Sequence, residues 1–470
     1  MKVPLLHTPA STDPVRIQSV EEWRLARQIH ETLYRLGPEG PVPALAMDLP
    51  QRSKDGREWL IRLRPGLTFH EGGAVDADAL IASWQRLLDK QTGSAHWWLL
   101  APVEGAVDYR SGKRTHISGL ERVNDLTLRM RLSVPVQSFS EAMGSLPTAI
   151  LPRRPKIQAA GHLEGCGPFR LEEVSEQGLK LSPFVQHWRG RPFIDALDHV
   201  VYASRREASL AFELGQVQLG LDPPGRSAGS GPMDGPIHHR VYLVLNSARM
   251  ETMPAGFRTA IEQAIDRKAL VEYLVGERGV ATDEIIEAGT TGDHSIRAAQ
   301  PGRAETYVKQ LYLEHMGVAP VFDFIVHAGD AFEKSIAERI QLDLKDVGLS
   351  VFVVPLEHEQ YDRRLRAGDF DFHLARPLPL VEEPELQLLQ VMAHVGGEEA
   401  VRDYLQSLAS LPMDSSRAGI IRERARVVQV RTPWIPLFVH GWRVHVKDGL
   451  RGFQTAPDGV VDWGDVWSGG

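Results

Sequence analysis

The patterning of this chain predicts an α/β fold, on three observations. Stretches of period-two alternation recur between stretches of helical period from one end to the other. The resulting strand-helix-strand order is the one that lays helices against sheets. The chain has 470 residues, 43% apolar and 24% charged, which is ordinary globular composition and enough for about three folding units.

Residues 21–36 read as an amphipathic helix with Trp23, Ala26, Ile29, Leu33 and Leu36 on one face, stopped by Gly37-Pro38. Residues 59–64 and 126–132 alternate as half-buried strands with arginines on the wet face. Between them, residues 76–88 form a helix whose Leu80, Ile81, Trp84, Leu87 and Leu88 point inward, with Asp76 as N-cap. Residues 223–232 are loop by their proline and glycine content, and 240–246 is an apolar run of strand length. A helix over 257–275, a strand over 321–326 and a helix over 332–347 ending at Gly348 follow. Strands over 351–354 and near 370–374 and a helix over 418–430 complete the pattern.

Several function classes fall away. The chain carries 53 basic and 61 acidic residues, net −8, with no block of one sign, which argues against a nucleic-acid surface or a polybasic membrane anchor. One cysteine, Cys166, excludes an intrachain disulfide. Residues 1–7 are too short and too interrupted for a secretory leader, so the expectation is either an intracellular protein or one whose leader has been trimmed.

Catalysis has little local support. Gly225-Arg226-Ser227-Ala228-Gly229 has the spelling of a nucleophile elbow, but the prolines before it and the glycines and proline after it leave no helix to start there. Cys166 between Gly165 and Gly167 lacks the helix start or basic neighbour that would activate a thiol. Eighteen histidines occur without any zinc-ligand spacing, and no phosphate-cradling glycine loop is present. No metal site and no cofactor are expected. The remaining candidates are aromatic and histidine clusters in loop-like places, such as His96-Trp97-Trp98, His187-Trp188 and His440-Gly441-Trp442, which suit either a core or a cleft for a polar organic molecule.

A series of motifs then points one way. Ser11-Thr12-Asp13-Pro14, the helical stretch 28–33 and Pro43-Ala44-Leu45-Ala46 follow one another near the start. Next come Ser53-Lys54-Asp55-Gly56, residues 61–72 with Phe69-His70-Glu71-Gly72, and residues 75–87 with Ser83-Trp84 and Arg86. Further on stand Gly165-Cys166-Gly167-Pro168-Phe169, Asn246, residues 258–267 with Asp266-Arg267, Ile435-Pro436-Leu437 and Leu450-Arg451-Gly452-Phe453. In this order they resemble the bacterial extracellular solute-binding proteins of family 5, the peptide-, dipeptide- and nickel-binding components of ABC importers. The resemblance spans the chain.

That resemblance implies a two-lobe, periplasmic-binding-protein-like fold of type II, with a hinge and a subdomain inserted in the first lobe. The implied segments are 1–40 (lobe I, first segment), 41–149 (inserted subdomain), 150–252 (lobe I, second segment), 253–440 (lobe II) and 441–470 (return to lobe I). It implies a non-enzymatic protein that captures a small solute by hinge closure for ABC permease subunits, as a monomer in the periplasm or cell envelope. By alignment the contacts would be Thr8, Pro9, His96, Trp97, Tyr242, Asn246, Arg376, Leu378, His440 and Trp442. The aspartate and the basic residue that hold peptide termini in the peptide binders align at Leu380 and near Leu374, so a zwitterionic dipeptide is not the expected solute. Two alternatives stand beside this reading: a cytoplasmic ligand-sensing domain of a transcription regulator built on the same family, and, more remotely, a hydrolase using Ser227 or Cys166.

Overall fold

Helices begin where the sequence supplies caps. Ser19 and Glu22 form a reciprocal capping box ahead of helix Val20–Ile29, and Asp76 accepts from Ala79 N at 2.8 Å ahead of helix Ala77–Leu88. The computed structural model describes residues 1–470 except 7, 10, 38, 156–161, 222–231, 235–238, 252, 254–255, 287–295, 315–319, 442, 454–460 and 469–470.

Two predicted helices are interrupted. The first ends at Ile29, and Tyr34–Gly37 is instead a strand paired with Gly40–Pro43. The buried Thr32 hydroxyl donates to the Tyr34 carbonyl, a local bond that competes with helix continuation. The stretch expected as one helix over 257–275 is two, Phe257–Ala264 and Arg267–Leu274, because Asp266 caps the second through Ala269 N at 3.1 Å. Three helices, Pro301–Glu314, His358–Ala367 and Pro384–Leu408, lie where the pattern marks none.

The sheets define two lobes. In lobe I, Lys2–Leu5 runs parallel to Leu197–Val201, which leads through Gly178–Pro183 to Phe169–Ser175. Beside it Arg443–Val446 sits between Leu219–Leu221 and Pro232–Asp234. The core here joins Val3, Ile29, Phe169 and Leu197 to Trp463 and Val466 from the end of the chain. The subdomain inserted into this lobe has the strand order Gln51–Arg52, Glu58–Arg62, Thr127–Arg131, Leu120–Asn124, backed by Trp59, Trp84 and Trp98.

Lobe II is a six-stranded mixed sheet in the order Gly279–Ala281, Trp434–His440, His239–Leu245, Phe372–Ala375, Val321–His327, Ser350–Leu356. One face packs Val241, Leu243, Phe322, Phe324 and Leu437 against residues of helices Phe257–Ala264 and Ala331–Asp346. The other turns Tyr242, Val244 and Trp434 toward helices Pro384–Leu408 and Arg417–Arg431. The strand His239–Leu245 is paired along both edges within this sheet, one to Trp434–His440 and one to Phe372–Ala375.

The inserted subdomain is anchored to lobe I by two of the motif loops. His70 N donates to Gly165 O at 2.9 Å and His70 Nε2 to Gly167 O at 3.0 Å, while Gly167 N donates to Ile29 O at 2.8 Å. A Cβ on Gly165 would lie 2.0 Å from Ile29 O, and one on Gly167 2.6 Å from Ile29 C, so backbone contact demands both glycines. Cys166 between them is buried, with Sγ 3.8 Å from Ile150 O, and burial pushes its thiol pKa up; it is a packing residue. Gly165→Ala is expected to destabilise the protein by about 2 kcal/mol or more, read as a lowered urea midpoint with unchanged slope.

Candidate ligand cleft

The carboxyl ends of open α/β sheets are where ligands bind, because loops there diverge around a crevice. In lobe II that end gathers His327 from the end of Val321–His327, Arg376 just after Phe372–Ala375, and His239 and His440 from adjacent strands. Asp330 completes it by capping helix Ala331–Asp346, accepting from Phe332 N at 3.0 Å and Glu333 N at 2.9 Å.

These groups satisfy one another. Arg376 pairs with Asp330 and stands 3.6 Å from Glu333. Glu333 also meets His327 Nδ1 at 2.8 Å, and the His327 ring lies 3.7 Å from Tyr361 in a stacked arrangement. Burial draws the Arg376 pKa down, but Asp330 and Glu333 outweigh it and the net shift is upward; Glu21, on the first helix of lobe I, adds to the same side. Glu21 thus faces lobe II charge across the cleft. Burial also holds His440 and His373 neutral, with pKa values down to about 4. The His239 and His440 rings stack at 5.5 Å.

Next to this cluster is a crevice of about 560 Å³ that opens to solvent, walled by Arg240, Tyr242, Leu378, Glu382, Gln387 and Trp434 among others. The Tyr242 hydroxyl donates to Ile285 O at 2.8 Å and its ring lies 4.9 Å from that of Trp434, inclined to it by 49°, giving an apolar floor of two angled rings. The loop 377–382 forms the opposite wall. Leu380 is buried and its carbonyl accepts from Ser145 Oγ of the inserted subdomain at 2.6 Å; Leu374 is buried in the lobe II core.

Of the residues singled out in the sequence, Tyr242 and Leu378 line the crevice, while Arg376 and His440 belong to the charged cluster beside it. Thr8 and Pro9 lie in the loop after the first strand, half-buried and buried respectively. Three lie away from the crevice. His96 is buried with Nε2 donating to Ile17 O at 2.6 Å, and Trp97 is a core residue with the Arg110 guanidinium 4.7 Å over its ring. Asn246 sits at the opposite end of its strand from His239, where Nδ2 donates to Gly368 O and Phe370 O and Oδ1 accepts from Ala248 N; it fastens a turn. Trp442, like Ser227, lies outside the described residues. The sequence reading missed Arg240, His327, Asp330, Glu333, Glu382 and Trp434. A signal for Arg240 was available: it precedes Tyr242 by two residues on a strand and so shares its face. Among the described residues no three His, Cys, Asp or Glu side chains gather to hold a metal ion.

Two α/β lobes joined by adjacent crossings, with polar groups converging at a sheet's carboxyl ends, define a two-lobed solute-binding protein. The chain belongs to the bacterial extracellular solute-binding proteins, family 5, whose middle region matches residues 40–392. It is 24% identical over 431 residues to the nickel-binding periplasmic protein of Escherichia coli, covering 83% of this chain and 77% of that one. It is 29% identical over 396 residues to the periplasmic oligopeptide-binding protein OppA of the same organism, covering 77% and 71%. The solved Escherichia coli murein tripeptide binding protein MppA superposes over 100% of this chain and 98% of its own, with TM-score 0.84 at 19% identity. The unliganded open form of MppA, over 100% and 97%, gives 0.66 at the same identity. The protein is thus a binding protein and not an enzyme.

Depressed histidine pKa values tie stability to pH. His30 (about 3) and His70, His96, His199, His373 and His440 (about 4 each) are held neutral by burial, against an ordinary value of 6.5. The unfolded chain takes up these protons first, so stability is full above pH 6.5 and falls as pH drops toward 4, by up to roughly 1 kcal/mol per histidine per pH unit. Urea midpoints at pH 7.5, 5.5 and 4.5 should decline steeply in that order.

Proposed function

We propose that this protein is the solute-capturing component of an ABC importer, working in the cell envelope as a monomer. It closes its lobes over a small polar organic solute and presents the closed form to permease subunits. The observation that carries this reading is the polar convergence at the carboxyl ends of the lobe II sheet, directed at lobe I, together with hydrogen bonds that already span the lobes. A solute that touches both walls makes all its contacts only when they are shut, so binding shifts the population toward closure. The relatives' printed names, periplasmic and solute-binding, support the location and role.

The cleft chemistry narrows the solute. Where the resemblance would put the groups that hold a peptide's charged ends stand Leu380 and Leu374, both buried; neither can pair with an ammonium or a carboxylate, which disfavours a zwitterionic dipeptide. Asp330 and Glu333 are engaged by Arg376 and His327, which disfavours a bare metal ion and favours hydrogen-bonding solutes. The Tyr242–Trp434 floor suits an apolar portion.

Native mass spectrometry of the purified protein should reveal a co-purified organic molecule of a few hundred daltons. Arg376→Ala and Arg240→Ala are each expected to weaken its retention at least about tenfold, the order of a lost charged hydrogen bond. Unchanged retention in both variants, or tight binding of unmodified dipeptides, would overturn the assignment.

A further inference from the structure

We propose that Glu141 is a closed-state latch: a positioning residue that holds the loop 380–383, and with it one wall of the solute crevice, only while the two lobes are shut. The proposal rests on the closure reading above and adds to it a proton.

Glu141 belongs to the inserted subdomain, in the short helix Phe139–Ala142, and is 4% exposed. Its two carboxylate oxygens accept from the backbone amides of Glu382 and Glu383 (3.2 Å for the latter), which belong to lobe II. Those amides introduce helix Pro384–Leu408, whose own N-cap residue, Glu383, makes no side-chain capping bond. Glu141 therefore fastens, from one lobe, the two residues that lead into a helix of the other lobe. The surrounding bonds run the same way. Ser145 Oγ donates to Leu380 O at 2.6 Å, Gln137 N to Glu385 Oε2 at 3.4 Å, and Arg417 Nη2 to Pro135 O at 2.9 Å. Val381 and Glu382, between these fastenings, are crevice wall.

The charges around Glu141 are unfavourable to its anion. Glu382 and Glu383 stand on the loop it grips, and Glu385 behind them is already paired with Arg417 at 2.6 Å. On the lobe I side, Arg27 donates to Gly144 O, and the neighbouring hairpin carries Tyr34 and Arg35, the latter committed to Glu31 and Asp462. Arg52 lies over the Trp59 ring, whose other neighbour is Phe139. Burial above all, reinforced by Glu382 and Glu383 and opposed by the two amides, raises the Glu141 pKa from 4.5 to about 8. Opening the lobes returns the carboxyl to water and to its ordinary value. Closing therefore takes up one proton from solvent, and the closure constant falls as pH rises between about 5 and 8, by up to tenfold per unit.

Spin labels at Glu121→Cys on the inserted subdomain and Lys334→Cys on lobe II, both exposed sites, would report the interlobe distance. The single native thiol, Cys166, is buried. In the otherwise unaltered protein, without added solute, the short-distance population should fall from pH 5 to pH 9, and Glu141→Gln should abolish the dependence. Neutralising the two like charges, Glu382→Gln with Glu383→Gln, should move the midpoint to lower pH; it also provides the test if Glu141→Gln does not fold. A pH dependence that survives Glu141→Gln, or a midpoint unmoved in the double variant, overturns the latch and leaves closure standing. One distance at every pH overturns the latch and, if it persists with the co-purified solute removed and restored, overturns closure too.

Discussion

The two crossings between the lobes are neighbours in one sheet, and the rest of the architecture depends on that pairing. The chain enters lobe II at His239 and leaves it at His440, and these two residues face each other in antiparallel register. Three residues after His440, Arg443–Val446 is paired in lobe I with Pro232–Asp234, the last described strand before the entry. Both connections therefore emerge at the same edge of lobe II and arrive side by side in lobe I. Two adjacent short connections restrain the lobes to bending about one line while leaving the far rims free to separate, the arrangement of a hinge.

Away from the hinge, contact between the lobes is made by helix Pro384–Leu408. The two residues leading into it are fastened by Glu141, and its later turns carry Glu398 to Arg110 at 3.3 Å and Arg402 to Asp108 at 3.0 Å. Pairs this exposed add little energy. The buried pair Arg417–Glu385 is different, since separating its members would leave a charge without compensation at about 3–5 kcal/mol. Arg417 is 1% exposed, and its remaining donors go to the carbonyls of Pro135, Leu411 and Pro412. It locks the loop after Pro384–Leu408 to the start of Arg417–Arg431, so that the face meeting lobe I keeps one shape. Polar groups here specify geometry; the apolar clusters on either side supply the stability.

The parts of this design that were legible in the sequence are those that rest on local chemistry. Asp76, with Leu80 and Trp84 behind it, announces its helix because the cap and the apolar face lie within three turns. The glycines of Gly165-Cys166-Gly167 are legible as a motif, although their reason, an Ile29 carbonyl 2.0 Å from any Cβ, is tertiary. Helix Pro384–Leu408 was illegible because Gly396-Gly397 interrupts its pattern, and Gly397 bends it with φ of +60°. The site was legible only in part. Arg376, Leu378, Tyr242 and His440 were reached through the family resemblance. Asp330, Glu333 and Glu382 were not, since each acquires its role from a partner on another element. Trp97 is buried, and an aromatic beside a histidine reads alike in a core and in a cleft.

The mutual satisfaction of the cleft charges has a consequence for selectivity. Arg376, Asp330, Glu333 and His327 are already held at set positions, so a solute need not order them on binding and loses little affinity to reorganisation. A solute with a net charge would instead compete with partners already in place and leave one of them unpaired. On the function proposed above, such a cleft would discriminate against charge by the same bonds that make it rigid, and would select for molecules whose donors and acceptors complete the pattern without disrupting it. Remodelling such a cleft for a new solute requires exchange of a pair, not of a single residue.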